Sequence, residues 1–123
     1  MNSTNSMRAV KINPGRGKET IASRVIKANN FFSKLFGLII RKKLKDKEGF
    51  LIENCSSIHT FWMRYSIDVI FLDKKNLVLA IYHNIKPFRA TPFIRNACYA
   101  LELKSGTIEK TSLEVGDLVQ FET

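Results

Sequence analysis

A long apolar run is the first thing that the sequence lacks. The residues before position 21 contain no apolar stretch of the kind found in a secretory signal. The most apolar stretch, FFSKLFGLII at 31–40, is well short of the roughly 20 residues that cross a bilayer. We therefore expect a cytoplasmic protein with no transmembrane segment.

Cysteine and histidine are also scarce, with two of each among 123 residues. No pair of them has a zinc-type spacing such as Cys-x-x-Cys, so neither a metal nor any other cofactor is expected. Cys55 and Cys98 are expected to be free thiols, because the cytosol is reducing. A chain of this length can bury one core without disulfide or metal staples.

Familiar catalytic motifs are missing as well. The Gly-x-Ser-x-Gly turn of serine hydrolases does not occur. Residues 14–20, PGRGKET, contain Gly17 and Lys18, but Glu19 follows them and Ile12 stands where a phosphate loop needs its first glycine. This stretch is therefore interpreted as a turn, and no catalytic residue is assigned.

Acidic residues are scarce in the first part of the chain only. Residues 1–47 hold 12 Lys and Arg against 2 acidic residues, whereas residues 48–123 hold 8 against 9, and the whole chain carries +9. Such an asymmetry can attract nucleic acid or an anionic surface, although a solvated basic face is the simpler interpretation. The densest basic cluster comprises Arg41, Lys42, Lys43, Lys45 and Lys47.

Most of the remaining sequence is typical of strands. Short segments rich in β-branched and aromatic residues alternate with turn residues, and one stretch, 29–41, has the i, i+4 apolar spacing of a short helix. This order favours a mainly β fold, a compact antiparallel distorted barrel or sandwich with one short helix. We expect a flexible basic segment with a short strand at 1–20 and a single β-rich domain at 21–123. The predicted strands are 7–13, 49–53, 58–63, 67–73, 77–83, 97–104 and 117–122.

Three polar residues interrupt residues 55–73, which are otherwise typical of buried strands. An unpaired buried charge costs several kcal/mol, so His59, Arg64 and Asp68 are expected to be paired at one rim of the sheet. Arg64 can pair with Asp68 across the intervening turn, and the same carboxylate can fix the proton of His59. Asp68 is therefore either a structural anchor or part of a site.

Three stretches together resemble the bacterial and archaeal family called domain of unknown function 192: EGFLIENCSSIHTFWMRYSIDVIFLD at 48–73, ALELKSG at 100–106 and VGDLVQF at 115–121. The resemblance implies a compact, mainly β domain, and it brings no established activity. The characteristic polar and sulfur-containing residues of the family pattern fall on His59, Met63, Asp68 and Glu102, and together with Arg64 these are our candidate binding residues.

Three classes of function remain open. The favoured one is a non-enzymatic module that binds a small molecule or a partner protein in a pocket near His59, Met63 and Asp68. The second is an enzyme that uses His59 and Asp68 as an acid–base pair, which requires the two side chains to lie within hydrogen-bond reach. The third is a binder of nucleic acid or an anionic surface through the basic N-terminal half.

Overall fold

The computed structural model describes residues 6–15, 17–28, 44–61 and 63–123. These residues form a single mixed sheet of seven strands. One 3-10 turn, Ile108–Lys110, lies between the last two strands. The mainly β fold predicted from the sequence is therefore confirmed. The strands are β1 Ser6–Asn13, β2 Gly17–Ala28, β3 Glu48–Glu53, β4 Ile67–Leu72, β5 Val78–Ile85, β6 Tyr99–Lys104 and β7 Val119–Glu122.

The order of the strands across the sheet is β5-β4-β6-β3-β2-β1-β7. Every neighbouring pair is antiparallel except β2 and β3, which run parallel over residues 24–28 and 48–52. A parallel pair needs a crossover connection of about a dozen residues or more, and residues 29–47 provide that length. Strand β6 pairs with β3 on one side and β4 on the other, so it holds the two halves of the sheet together.

The two edges of the sheet meet at one end. An isolated bridge joins Leu77, just before β5, to Leu118, just before β7. Three backbone hydrogen bonds of 2.8–3.0 Å reinforce it, including Val78 N–H to Asp117 O and Val119 N–H to Asn76 O. The ladder between β5 and β7 is short, so the sheet has the form of a distorted barrel that is not fully closed.

The main core, called the central core here, receives side chains from all seven strands. Ile70 and Leu72 of β4 lie in it with Leu101 and Leu103 of β6, and Ile108 of the 3-10 turn is also part of it. The other members are Ala9, Ile21, Ala22, Val25, Leu51, Val78, Leu113 and Val119. Burying each large side chain contributes about 1.5–3 kcal/mol, so this core accounts for most of the stability of the sheet.

A second core lies on the opposite face of β3, β4 and β6. Alternate residues of β4 point into it, because successive side chains of a strand face opposite ways. The covering side chains come from residues 55–63, which explains why all six residues of β4 are buried. The second core comprises Ile52, Cys55, Ile58, Met63, Ile67, Val69, Phe71 and Ala100.

Six of the predicted strands are confirmed, each with ends within two residues of those observed. The strand predicted at 58–63 is wrong: the described residues of this stretch form a loop with one isolated bridge at His59. Strand β2 was not predicted, and it runs across the expected boundary between residues 20 and 21. The helix predicted at 29–41 lies outside the described residues.

Candidate binding face

Asp68 is a fully buried carboxylate at the end of the central core. Its Oδ1 accepts the backbone N–H of Asn84 at 2.8 Å. Its Oδ2 accepts the backbone N–H groups of Gly106 at 3.1 Å and Ile108 at 3.0 Å. The carboxylate thus ties the end of β5 and the turn after β6 to β4, and charge-assisted bonds of this kind are among the stronger ones in proteins.

Glu102, another candidate residue, is also fully buried but lies on the other face of the sheet. It stands directly opposite Val69 across β4 and β6, whereas Asp68 stands opposite Leu103. Directly opposite residues share a face, so Glu102 faces the second core and Asp68 faces the central core. Met63 packs in the second core, on the side of Glu102. The candidate residues are therefore divided between two faces.

His59 lies in the loop that covers the second core and is partly buried. Its ring stacks on that of Phe61 with centroids 4.9 Å apart. Its Nδ1 atom is buried and has no hydrogen-bond partner in the described part of the chain. The expected bond between His59 and Asp68 does not form, because all three hydrogen bonds to Asp68 come from backbone N–H groups.

The expected ion pair between Arg64 and Asp68 does not form either. Arg64 is exposed, whereas the Asp68 side chain is enclosed on the central-core face of the sheet. A guanidinium at the surface cannot reach that carboxylate without displacing the turn that donates to it. Arg64 is thus a surface charge and not part of the anchor at Asp68.

Two loops pair with each other above the second core. We call residues 54–66 the His59 loop and residues 86–98 the Phe88 loop. The Phe88 loop donates to carbonyls of the His59 loop from Thr91 N–H to Ile58 O and from Ile94 N–H to Ser56 O, each at 2.8 Å. An isolated antiparallel bridge joins His59 to Ala90. The two loops therefore form one ordered surface.

Thr60 fastens these loops and was not singled out from the sequence. Its backbone N–H donates to Arg89 O at 2.8 Å, and its backbone O accepts from Phe88 N–H at 3.0 Å. Its hydroxyl donates to Lys86 O at 2.6 Å and accepts from Arg89 N–H at 3.0 Å. Thr60 is fully buried, so these bonds are shielded from water and hold the two loops in one arrangement.

Aromatic rings project from this loop pair into solvent. Phe61 is 44% exposed, Phe88 is 68% exposed and Phe93 is 74% exposed. Phe88 also adopts a left-handed backbone conformation with φ of 63°, which is uncommon for a residue other than glycine. Strain of this kind persists only where the surrounding contacts enforce it, and here Thr60 supplies them.

The same loops carry an unbalanced positive charge. They contain Arg64, Lys86, Arg89 and Arg95, all exposed, and no acidic residue. We use the term aromatic face for the part of these two paired loops that carries His59, Phe61, Phe88, Arg89, Phe93 and Arg95.

A short repeat in the sequence marks this face. Pro87-Phe88-Arg89 is followed by Pro92-Phe93-Ile94-Arg95, so each exposed phenylalanine follows a proline and precedes an arginine closely. Proline fixes its own φ and restricts the preceding residue, which reduces the freedom of each unit. The repeat was available in the sequence, but the exposure of its phenylalanines was not, because phenylalanine is usually buried.

An open cleft of about 630 Å³ lies elsewhere, lined by Lys11, Asn13 and residues 111–114. Several of its polar groups bind one another: Lys11 Nζ lies 3.0 Å from Ser112 Oγ and 3.2 Å from Asp117 Oδ2. The Ser112 hydroxyl donates to Glu19 Oε1 at 2.5 Å. These contacts tie the β1–β2 hairpin to the segment before β7, which gives this part of the cleft a structural role.

The remaining expectations concern charge, metals and membranes. In the predicted basic cluster, Lys45 and Lys47 are exposed, while Arg41, Lys42 and Lys43 lie outside the described residues. Among residues 6–15, 17–28, 44–61 and 63–123, no three His, Cys, Asp or Glu side chains converge as metal ligands would. No helix in these ranges is long and apolar enough to cross a membrane.

The sheet order and the sequence together define a family of mainly β proteins. The family model DUF192, described as Uncharacterized ACR, matches residues 11–121, and the chain belongs to this family. A UPF0127 protein of Pyrococcus furiosus is 36% identical over 119 residues, covering 89% of this chain and 96% of the relative. A UPF0127 protein of Thermococcus sibiricus is 32% identical over 115 residues, covering 90% and 73%.

Two solved structures share the fold at 20% sequence identity. A protein of unknown function from Novosphingobium aromaticivorans superposes with a TM-score of 0.74, covering 92% of this chain and 83% of the other. A protein from Sinorhizobium meliloti described as a proposed transcription regulator gives a TM-score of 0.75, with coverage of 94% and 93%.

Proposed function

We propose that the protein is a non-enzymatic binding module of the cytoplasm that holds an anionic ligand against the aromatic face. The observation that carries this proposal is that two paired loops carry three exposed phenylalanines and four exposed basic side chains but no acidic residue. Exposed apolar side chains that are grouped and rimmed by charge mark interaction sites more often than scattered ones do.

The construction of the loops supports binding. Thr60 holds both loops from within, so ordering the surface costs little when a ligand arrives. His59 belongs to the face itself, whereas the Met63 side chain packs in the second core and Glu102 faces that core from β6. Asp68 stabilises the sheet from its other face and does not contact the ligand in this proposal.

An anion is the favoured ligand because of the local charge. Four basic side chains attract a negative ligand and raise its association rate at low salt. The basic N-terminal part of the chain, with Lys45 and Lys47, adds to this attraction over a longer range.

Binding of polyanions tests the proposal. The probes are inorganic polyphosphate, a mixed-sequence single-stranded 12-mer and vesicles containing anionic lipid, each titrated at 50 mM and 200 mM salt. The double variant Arg89→Ala/Arg95→Ala is expected to weaken binding on the order of tenfold, since it removes two phosphate contacts. The matched control is Lys74→Ala/Lys75→Ala, which removes two exposed charges from the turn between β4 and β5.

Two results would contradict the proposal. One is the absence of binding to any of the three probes at 50 mM salt. The other is an equal loss of affinity in both double variants, which would show that the total charge matters and the aromatic face does not.

A further inference from the structure

Resting on that proposed function, we infer that the ligand is a single-stranded nucleic acid whose bases stack on Phe61, Phe88 and Phe93. Arg89 and Arg95 would contact its phosphates. Each base offers a flat π-face to an aromatic ring, and such stacking contributes to the binding of single strands without requiring a particular sequence.

The type of exposed apolar side chain favours bases over other ligands. In the described part of the chain, the large exposed apolar side chains on the two loops are phenylalanines, whereas those elsewhere are aliphatic: Ile26, Leu77, Val115 and Leu118. A lipid surface or a hydrophobic peptide accepts aliphatic side chains as readily as rings. A base stacks best on a flat ring, so the segregation of rings onto the two basic loops favours a ligand with bases.

One ring is already arranged as a platform. The His59 ring lies against Phe61 at a centroid distance of 4.9 Å and an interplanar angle of 28°. His59 is the more buried of the two and Phe61 the more exposed. A ring that is supported on one side and exposed elsewhere can accept a base with little loss of its own freedom.

The spacing of the other two rings suits a single strand. Phe88 and Phe93 are five residues apart, so their Cα atoms are separated by at most about 17 Å at roughly 3.3 Å per residue. That upper limit corresponds to at most about five stacked nucleotides at roughly 3.4 Å each. Small single-strand sites span about 4–16 nucleotides, so the two rings can fit within the smallest sites of this kind.

A duplex fits this surface poorly. Its base faces are covered by neighbouring base pairs, so the phosphates, the sugars and the base edges in the grooves remain for the protein to contact. The exposed phenylalanines would then have no base face to stack on. Preference for single strands over duplexes is therefore the property that distinguishes stacking from simple attraction between opposite charges.

The experiment compares ligands that differ in one feature at a time. A labelled 12-mer of mixed sequence is titrated as single-stranded RNA, as single-stranded DNA and as the duplex, beside polyphosphate and anionic vesicles. The variant Phe88→Leu/Phe93→Leu removes the rings but keeps apolar side chains. The matched control Phe88→Tyr/Phe93→Tyr keeps the rings, and thermal melting of each variant verifies that it is folded.

The wild type is expected to bind single strands at least tenfold more tightly than the duplex. The affinity of the leucine variant for the single strand is expected to fall about thirtyfold or more, because its stacking contacts with two bases are removed. The affinity of the tyrosine variant is expected to stay within about threefold of the wild type. The Arg89→Ala variant is expected to reduce the slope of log affinity against log salt by about 0.7. A difference between the RNA and DNA arms identifies which of the two strands the face prefers.

The outcomes separate this inference from the proposed function. If polyphosphate and the duplex bind as well as single strands, and the leucine variant binds normally, the inference is wrong while anion binding stands. Binding to vesicles in preference to nucleic acid, retained by the leucine variant, would assign the face to a membrane and overturn the inference. If no polyanion binds, both are wrong.

Discussion

Asp68 and Glu102 are fully buried carboxylates on neighbouring strands, and they lie on opposite faces of the same sheet. Val69 stands directly opposite Glu102, and Asp68 is the next residue along β4. Because successive side chains of a strand face opposite ways, Asp68 lies on the other face. The two residues therefore cannot share one pocket, although both are candidate binding residues predicted from the sequence. Their roles have to be tested separately.

Asp68→Asn is expected to destabilise the fold by about 2–4 kcal/mol, measured by chemical denaturation. The amide oxygen can replace only one carboxylate oxygen, so its NH2 group would face either the N–H of Asn84 or those of Gly106 and Ile108. Glu109→Gln, on the exposed side of the same turn, is the control and is expected to change stability little. A variant that keeps its stability but loses ligand binding would instead place Asp68 in the site.

Glu122 is expected to make the stability of the fold depend on pH. Its hydrogen bonds with Lys18 and Arg8 hold the pKa of the carboxyl below its ordinary value of 4.5. The lowered pKa means that this stabilisation is complete above the unfolded-state pKa and is lost as the pH falls through the folded-state pKa. The wild type is expected to be more stable than Glu122→Gln at pH 7, with the difference shrinking towards pH 3. A constant difference in denaturation midpoints across this range would exclude the ion pairs as its cause.

Gly49 is a position where a single methyl group is expected to be harmful. A Cβ atom there would lie 3.2 Å from Leu101 Cδ1, 3.2 Å from Leu103 Cδ2 and 3.3 Å from Val25 Cγ2. These side chains are fully buried and have little room to move. Gly49→Ala is expected to cost about 1–3 kcal/mol in the free energy of unfolding. Ser23→Ala, on an exposed position of β2, is the control, and an equal stability of the two variants would show that the core relaxes freely.

The two cysteines are expected to differ in reactivity. Neither forms a disulfide; Cys55 is 4% exposed and its thiol donates to Ser57 O at 3.2 Å, whereas Cys98 is partly exposed. A thiol reagent such as Ellman's reagent is therefore expected to modify Cys98 in the native protein and Cys55 only after unfolding. The Cys98→Ser variant is expected to show no rapid thiol modification in its native state. Two fast thiols in the native wild type would show that the His59 loop opens readily.

The strands near the centre of the sheet could be predicted because packing dominates them. Residues 67–72 are apolar apart from Asp68, and burial on both faces explains that density. Strand β2 escaped prediction because its buried residues Ile21, Ala22 and Val25 do not alternate. The register shifts opposite Ala9, and the irregularity breaks the period of two on which such predictions depend.

The site was harder to predict than the fold, for two physical reasons. The sequence shows that Asp68 and Glu102 are unusual but not which face each occupies, since that depends on the register between β4 and β6, two strands that are not consecutive in the chain. It also shows phenylalanines without showing that Phe88 and Phe93 are exposed. The conformation of the Phe88 loop depends on its bonds with Thr60, a contact between distant parts of the chain that the sequence does not reveal.

The place of β6 between β3 and β4 has a consequence for folding kinetics. Among the strands that the structure describes, β1–β2 and β4–β5 are the hairpins, whereas β3–β6, β4–β6 and β1–β7 join residues far apart in the chain. Folding dominated by such non-local pairs is slow, in the range of milliseconds to seconds for small domains. A chain in which β6 has not yet paired would expose one unpaired apolar edge on β3 and one on β4, and aggregation is expected to start from chains in that state.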